Sequence, residues 1–296
     1  GMFVNFKNVV DSFHPKMPFG LGQIGKAFRN EITPRDFIFR LRELEQMEIE
    51  YFVKESDWAR AFEEWRVAMN AFITAVGIDT ERIHEVEIGD EDRAFYSKRT
   101  IDFEFDYPFG QKELYGLAYR TDYDLGSHSR ESKVDLSYRD EEAGEKFIPH
   151  CIEPSFGLDR TMLAVLLSAY TEDTMGKGTD SAPREYLKFH PRVAPIKCAV
   201  SPLLKNKPEL VAKAREVYTM LKKDIPQIMW DDNGNVGKRY RRQDEIGTPF
   251  CVVIDFDTLG ETPEHKDTVT IRDRDTGTQH RLPIADLTNY IKTAIL

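Results

Sequence analysis

The sequence has no long apolar run and no paired cysteines, and these absences narrow what it encodes. No apolar stretch approaches the roughly 18 residues that a membrane-spanning helix needs. The three cysteines, Cys151, Cys198 and Cys251, are far apart and form no Cys-x-x-Cys pair, which argues against a disulfide framework and against a zinc site. The first residues also lack a basic segment followed by an apolar one. We therefore expect a cytoplasmic protein with no membrane partner.

The charge balance disfavours one class of protein. The 296 residues carry a formal net charge of −10, with 31% charged and 41% hydrophobic residues. Most dedicated nucleic-acid binders are basic, because their affinity draws on the neutralisation of phosphates. The chain as a whole does not fit that class, although local basic strips remain compatible with an RNA partner. A chain of this length can bury one large core or two ordinary ones.

The most informative stretch, residues 28–50, predicts two strands joined by a turn. Pro34 cannot continue a first strand that ends at Phe28, because proline lacks the N–H that a strand ladder uses. From Phe37 onward, alternation predicts a second strand with a polar face. The side chains on that face are Arg40, Arg42, Leu44, Gln46 and Glu48. Such a face is either a solvated outer surface or the floor of a site for a charged ligand, and spacing alone leaves both open.

Two motifs favour the ligand site. Residues 28–31, Phe-Arg-Asn-Glu, are followed by a loop and by Arg40-x-x-x-Leu44, and together they resemble motif 2 of the class II aminoacyl-tRNA synthetases. Residues 153–160, Glu-Pro-Ser-Phe-Gly-Leu-Asp-Arg, resemble motif 3 of the same family. Both motifs in the family's order are a more specific signal than either alone.

The resemblance extends over nearly the whole chain and implies its fold. Residues 23–27 and 239–249 are similar to those of glycyl-tRNA synthetases of the homodimeric type. The implied fold class is an α+β catalytic domain, with an incomplete class II antiparallel sheet and helices, followed by an α/β mixed-sheet anticodon-binding domain. The alternation of strands and helices in the last third of the sequence also predicts a mixed sheet. The expected boundaries are a catalytic domain over 1–178, a linker over 179–192 and an anticodon-binding domain over 193–296.

The resemblance implies that Arg29 and Arg160 are catalytic. Arg29 would bind the α-phosphate of ATP and Arg160 the γ-phosphate. Glu113 would be the metal ligand, holding a magnesium ion between phosphates in a site that uses few protein carboxylates and keeps waters. ATP and Mg²⁺ are therefore the expected cofactors. These residue types suit the chemistry, because negative charge builds on the α-phosphate when the glycine carboxylate attacks, and a planar guanidinium stabilises that charge.

Four further residues complete the ATP site that the resemblance implies. Glu31 would lie near the adenine end, and Arg40 would share the same phosphate and adenine environment. Gly157 would let the backbone approach the nucleotide closely. Leu44 stands where the family has an aromatic ring that stacks on adenine. The loss of that ring-on-ring contact would cost about 0.5–1.5 kcal/mol of binding.

The implied glycine site has a charged group at each end. Arg120 would pair with the glycine carboxylate and Glu153 with its ammonium group. Ser155 would lie against the α-carbon, and Glu48 would face the glycine side of the pocket. Glycine has only about five heavy atoms and cannot bind very tightly. Specificity must therefore come from the exclusion of larger side chains and from the two charged ends.

Two patterns between the motifs carry less specific predictions. Residues 58–76 place aromatic and apolar side chains at helical spacing, which indicates a helix packed on a core rather than a ligand box. Asp102 and Glu104 alternate with apolar residues in a predicted strand. These carboxylates are either a polar site or a solvated face, and we expect the solvated face.

A predicted helix over residues 236–245 carries the basic residues of the last domain. They are Lys238, Arg239, Arg241 and Arg242. In an anticodon-binding domain they would contact tRNA(Gly), because nucleic-acid affinity draws on lysine and arginine. The alternative is a solvated helix whose basic side chains pair with nearby acids.

Family members carry a further N-terminal region before the point at which this chain begins. That region holds motif 1 and another glutamate for the glycine ammonium. We therefore expect a homodimer or a complementing N-terminal chain as partner. The sequence leaves open whether this chain is active alone.

The function that the resemblance implies is that of a glycine–tRNA ligase, which activates glycine with ATP and transfers it to tRNA(Gly). The alternative is a non-catalytic synthetase-like paralogue that acts as a nucleic-acid-binding or accessory subunit. A third possibility is an enzyme that activates an amino acid for an acceptor other than tRNA. That class would be expected to lose the C-terminal domain, which is present here.

Overall fold

The computed structural model describes residues 1–175 and 182–295 of the chain. The chain divides into two compact units. The first comprises Gly1–Thr74 and Asp79–Ala164, and the second comprises Ala75–Ile78 and Val165–Leu296. No helix within the described ranges is both long and apolar enough to cross a membrane.

The first unit is built around an antiparallel sheet. The strands in this part of the chain are β1 (Phe19–Phe28), β2 (Glu43–Val53), β3 (Ile83–Glu87), β4 (Arg99–Tyr107), β5 (Gly110–Thr121), β6 (Tyr138–Asp140), β7 (Glu145–Phe147) and β8 (His150–Gly157). The helices are α1 (Met2–Phe13), α2 (Trp58–Ala75), α3 (Tyr123–Ser132) and α4 (Leu158–Ala169), which begins in this unit. Six strands form one sheet in the order β1-β2-β8-β5-β4-β3, and β6 pairs with β7. The implied antiparallel sheet is confirmed.

The second strand begins later than alternation predicts. β2 starts at Glu43, and the residues before it form a turn in which Arg35 and Arg40 exchange backbone hydrogen bonds. Asp36 and Phe37 have φ angles of 60° and 55°, and a continuing strand excludes these left-handed values. The prediction that the strand runs on from Phe37 was therefore wrong. Arg40 and Arg42 belong to the connection and not to the strand face.

Helix α2 packs against the apolar face of the sheet. Its buried residues include Phe62, Met69 and Ile73, all with at most 1% of their surface exposed. Trp58 stacks on Tyr119 of β5 with ring centroids 4.2 Å apart. The predicted core role of residues 58–76 is confirmed, with the helix ending at Ala75. This packing fixes which side chains of the strands face the core.

Helix α1 packs near one end of the sheet. Phe6 is 1% exposed and packs on Phe52, with ring centroids 4.8 Å apart, and on Phe19 at 6.0 Å. These three rings lie in one apolar cluster with Leu125 of α3 and Cys151 of β8. The cluster's residues on β2 and β8 lie on one face of these strands. Beyond the cluster, the same face carries polar residues.

The second unit contains a mixed sheet with helices. Its strands are β9 (Tyr170–Met175), β10 (Ala182–Leu187), β11 (Cys198–Pro202), β12 (Ile228–Trp230), β13 (Phe250–Ile254), β14 (Thr268–Asp273) and β15 (Gln279–Pro283). Its helices are α5 (Pro208–Asp224), α6 (Val236–Glu245), α7 (Phe256–Leu259) and α8 (Ile284–Ile295). The sheet order is β12-β11-β13-β14-β15, with β11 parallel to both neighbours and the remaining pairs antiparallel. The predicted mixed sheet is confirmed.

Only part of the predicted linker, 179–192, can be compared with the structure. Residues 179–181 lie outside the described part of the chain. Residues 182–187 form β10, which pairs with β9 as a two-stranded ribbon.

A buried ion-pair network fixes helix α6 within the second unit. Asp244 of α6 is 2% exposed. It accepts two hydrogen bonds from Arg272 of β14, at 2.7 and 2.8 Å, and one from Arg184 of β10 at 3.2 Å. Removal of one partner from a buried pair leaves an uncompensated charge and is strongly destabilising. The network therefore holds α6, the ribbon and the sheet in one arrangement.

Substitution of Phe62 by alanine tests the packing of α2. We expect Phe62→Ala to lower the free energy of unfolding by about 3–5 kcal/mol, because it leaves a cavity in a close-packed core. Val67→Ala on the same helix is the control, since Val67 is 64% exposed. Urea unfolding followed by tryptophan fluorescence measures both. Equal losses for the two variants would contradict a core role for this face of α2.

Candidate active site

Two adjoining clefts lie on the polar face of the first unit's sheet. The first cleft is lined by the β1–β2 connection, including Glu31 and Arg40. The second cleft reaches β4 and the loop before it. Four residues line both clefts: Arg29, Gln46, Glu113 and Ser155. A ligand that extends from one cleft into the other must pass these four side chains.

Strand register explains the floor of this site. Glu48 of β2 lies opposite Ser155 of β8, Ser155 opposite Gly116 of β5, and Gly116 opposite Asp102 of β4. Residues paired directly across a sheet share a face. The row therefore has a carboxyl group towards each end and two small residues in the middle. The small residues leave room for a ligand against the backbone.

Arg160 and Glu113 meet at the first cleft. Arg160 lies in the first turn of α4, which follows β8 directly. Its Nη1 donates to Glu113 Oε2 at 3.0 Å and to the Glu113 carbonyl oxygen at 2.9 Å. The guanidinium also lies over the ring of Phe39, 4.2 Å from its centroid. The structure thus brings together Arg160, the implied γ-phosphate-binding residue, and Glu113, the implied metal ligand.

The β1–β2 connection contributes a second charged pair. Arg40 Nη1 lies 3.3 Å from Glu31 Oε1. Arg40 Nε is buried and has no hydrogen-bond partner among the described residues. Arg42 precedes β2 and is not on a strand face. Its Nε donates to the backbone carbonyl of Glu31 at 2.8 Å, and this hydrogen bond holds the loop. Leu44 and Gly157 line the same cleft.

Arg120 and Glu153 contact each other directly. Arg120 Nη1 donates to Glu153 Oε2 at 2.7 Å, and its Nε and Nη2 donate to the two carboxylate oxygens of Asp124 at 2.8 and 2.9 Å. The ring of Tyr96 covers the guanidinium at 3.9 Å. A guanidinium has five N–H groups, so two of them have no partner among the described residues. The implied ends of the glycine site are thus an ion pair in this structure.

Burial and crowding of acids raise the pKa of three carboxyl groups here. Burial, then the charge of Glu153, raises the pKa of Glu48 above its ordinary value. The same two causes raise the pKa of Glu50 to about 7. Glu50 is 4% exposed and accepts a hydrogen bond from Cys151 Sγ at 3.0 Å. Burial, then the charge of Glu113, raises the pKa of Asp102 to about 6. The site therefore favours the approach of a cation.

Asp102 lines the candidate site, although the sequence alone did not place it there. We expected a solvated face, but Asp102 is half-buried and lines the second cleft. A methyl group on Gly116 would lie 3.8 Å from Asp102 Oδ1 and 3.7 Å from Glu113 Oε1, so the two carboxyl groups converge above this glycine. The alternation of Asp102 with buried Ile101 and Phe103 was visible in the sequence. The register that sets it opposite Gly116 was not.

In the second unit, the basic residues of α6 differ in exposure. Lys238 and Arg241 are exposed. Arg242 pairs with Asp231, with Nη2–Oδ1 at 2.5 Å and Nε–Oδ2 at 3.1 Å. Arg239 is 3% exposed, and its guanidinium donates to the carbonyl oxygens of Pro202, Asp232 and Gly234. Its predicted tRNA contact was therefore wrong, because the side chain is buried and its N–H groups bind backbone carbonyls of the same domain.

Comparison with protein families agrees with this geometry. The family described as tRNA synthetase class II core domain (G, H, P, S and T) matches residues 4–169, and the anticodon binding domain family matches residues 197–294. The chain belongs to the class II tRNA synthetase family. The resemblance seen in motifs 2 and 3 is confirmed, and so is an anticodon-binding domain after the synthetase core.

Individual relatives extend this similarity to the whole chain. Proteins named glycine–tRNA ligase from Clostridium tetani, Lachnospira eligens and Thermus thermophilus are 49%, 50% and 45% identical to this synthetase chain, over 100%, 99% and 99% of its length. The chain spans 61% of the length of each of these relatives.

The raised pKa of Glu50 predicts a pH-dependent stability. Between pH 4.5 and about 7 the unfolded state loses its proton while the folded state keeps it, so this group lowers stability as the pH rises through that window. Glu50→Gln cannot ionise. We expect its free energy of unfolding, relative to the parent chain, to increase from pH 4.5 to pH 8 by on the order of 3 kcal/mol.

Urea unfolding at a series of pH values measures this difference. Glu45→Gln is the matched control, because Glu45 is an exposed carboxyl on the same strand. A Glu50→Gln difference that stays constant across the pH range would show that Glu50 titrates as an ordinary carboxyl.

Proposed function

We propose that this synthetase chain activates glycine with ATP and transfers it to the 3′ end of tRNA(Gly), as part of translation. The observation that carries the proposal is the pair of clefts that share Arg29, Gln46, Glu113 and Ser155. Two reactants in adjoining clefts are held for a reaction at the junction, which lowers the entropic part of the barrier. The names of the relatives support glycine as the amino acid.

ATP would occupy the cleft that contains the β1–β2 connection. Its adenine end would lie at Glu31, Arg40 and Leu44, and Gly157 would allow the nucleotide to approach β8. The α-phosphate would lie at the junction beside Arg29, and Arg160 would bind the γ-phosphate. At these positions, the permanent positive charge of each arginine would stabilise developing phosphate charge.

The donor set at Glu113 fits a magnesium ion. Glu113 and Asp102 present oxygens to the same space above Gly116, and Mg²⁺ sites in nucleotide enzymes use one or two carboxylates together with phosphates and waters. Glu113 would hold the ion, with Asp102 close by. When bound, Mg²⁺ would neutralise part of the phosphate charge.

Glycine would occupy the second cleft. Its ammonium group would lie between the carboxyl groups of Glu48 and Glu153, and its α-carbon would lie against the small side chain of Ser155. Arg120, fixed by Asp124 and Glu153, would use its remaining N–H groups for the glycine carboxylate. One carboxylate oxygen then attacks the α-phosphorus, the bond to the bridging oxygen breaks, and pyrophosphate leaves.

The transfer step would use the same site. A terminal ribose hydroxyl of tRNA(Gly) attacks the carbonyl carbon of the glycyl-adenylate, an ester bond forms, and AMP leaves with the bonding electron pair. We infer that the enzyme is cytoplasmic, because tRNA is charged in the cytoplasm. We also infer that a second chain, another copy or a complementing one, covers the edge strand β1, whose Ile24 and Phe28 are 72% and 74% exposed.

Glycine-dependent exchange of labelled pyrophosphate into ATP tests the activation step. We expect exchange with glycine and none with alanine, because the proposed specificity depends on the exclusion of amino acids that carry a side chain. Arg29→Ala should lower the exchange rate by about 10²–10³-fold, the usual effect of losing one group that stabilises transition-state charge.

Arg35→Ala is the matched control for Arg29→Ala. Arg35 lies in the same connection, and its side chain is 64% exposed with only a 3.6 Å contact to Asp36 among its salt-bridge partners in the described chain. Absence of exchange from a chain that unfolds cooperatively would refute catalysis by this chain and favour a binding role. Equal losses in the two variants would refute the assignment of Arg29.

The exposure of α6 predicts which basic residues bind tRNA. Replacing Lys238 and Arg241 together by alanine should weaken tRNA(Gly) binding and reduce the slope of log affinity against log salt by about 2, one for each lost phosphate contact. Pyrophosphate exchange should stay unchanged. Filter binding at several salt concentrations gives the slope, with Arg60→Ala, an exposed arginine on α2, as control. An unchanged slope would exclude these two side chains from the interface.

A further inference from the structure

Three aromatic rings contact one another where Tyr96 lines the second cleft. Phe95 is 82% exposed and Tyr123 is 39% exposed. The Phe95 ring lies edge-to-face with Tyr96, at 5.3 Å between centroids and 77°, and with Tyr123, at 5.4 Å and 77°. We call Phe95, Tyr96 and Tyr123 the aromatic shelf. Most of the Phe95 ring faces solvent, so its contribution to the core does not explain its presence.

The segment that presents Phe95 is held by many hydrogen bonds. Arg93 donates from its backbone N–H to Gly89 at 3.0 Å and from Nε to the Ser97 carbonyl at 3.1 Å. Ser97 donates from its backbone to Ala94 at 2.9 Å and from Oγ to the Tyr119 carbonyl on β5 at 3.1 Å. An exposed ring on a fixed backbone is already arranged for a ligand, which reduces the entropic cost of binding.

The aromatic shelf is continuous with the candidate active site. Tyr96 lines the second cleft, and its ring covers the guanidinium of Arg120 at 3.9 Å. Tyr123 directly precedes Asp124, which anchors the same guanidinium. A ligand group stacked on Phe95 would therefore lie beside any molecule whose reacting atom is at Arg120 and Glu153.

We propose that the aromatic shelf stacks the 3′-terminal nucleobase of tRNA during aminoacyl transfer. This inference rests on the proposed function. A base has a flat face that suits an exposed aromatic ring, and such stacking is tolerant of base identity. The segment also carries Asp90, Glu91 and Asp92, which repel phosphates, so the contact is to the uncharged base and not to the backbone.

A double-mutant cycle on binding tests the proposal. The protein is varied at Phe95, as Phe95→Ala and Phe95→Trp, and the RNA is either full-length tRNA(Gly) or the same transcript lacking its terminal adenosine. Fluorescence anisotropy gives the four affinities for the parent and Phe95→Ala. We expect Phe95→Ala to weaken binding of the full-length RNA roughly tenfold, within the range for one stacked base, and to leave binding of the shortened RNA unchanged. Phe95→Trp should restore the affinity.

Phe13→Ala is the matched control, because Phe13 is 78% exposed on α1. Glycine-dependent pyrophosphate exchange needs no tRNA and should be equal in the parent, Phe95→Ala and Phe13→Ala. Absence of exchange in the parent chain would refute the proposed activation of glycine. The binding cycle would still test the aromatic shelf. Equal effects of Phe95→Ala on the two RNAs, no effect on either, or a change in self-association measured by sedimentation would each overturn a nucleobase contact.

Discussion

The register of four antiparallel strands is the constraint on which the site depends. In β2, β8, β5 and β4, successive side chains alternate between the α2 core and the clefts, so a slip of one residue would exchange the two sets. Phe156 and Tyr115 belong to the core set, and the ring of Phe72 lies 5.3 and 6.1 Å from theirs. Their neighbours Ser155 and Gly116 belong to the cleft set. Core packing therefore sets the positions of groups that never touch the core.

The electrostatics of the second cleft follow from this arrangement. Register concentrates Glu48, Glu50, Glu153 and Asp102 on one face, and the Arg120 guanidinium balances only part of their charge. Burial penalises ionisation of the crowded acids, and their pKa values rise. A cation that enters the cleft would relieve this penalty and lower those values. An ammonium group and a divalent metal ion are thus the ligands that gain most from the site.

The sequence predicts the elements and the motif residues better than their contacts. Strong periodicity over residues 58–76 is a local pattern, and the helix lies where expected. The motif around Arg160 is also local, and Arg160 lines the first cleft. The approach to β2 was misjudged because alternating residue types cannot reveal the positive φ angles of a turn. The places of Asp102 and Arg239 depend on strand pairing and burial, which involve residues distant in sequence.

The net negative charge of the chain is compatible with the proposed binding of RNA, because two kinds of contact would act at different places. They are phosphate contacts and base stacking. Phosphate contacts need local positive charge, and Lys238 and Arg241 offer it on an exposed helix face. Near the carboxyl groups of the second cleft, the phosphates of the RNA would be repelled. Stacking on an aromatic ring uses dispersion and burial of an uncharged surface, so acidic neighbours do not weaken it to the same degree. An acidic face can thus bind the end of an RNA through its base.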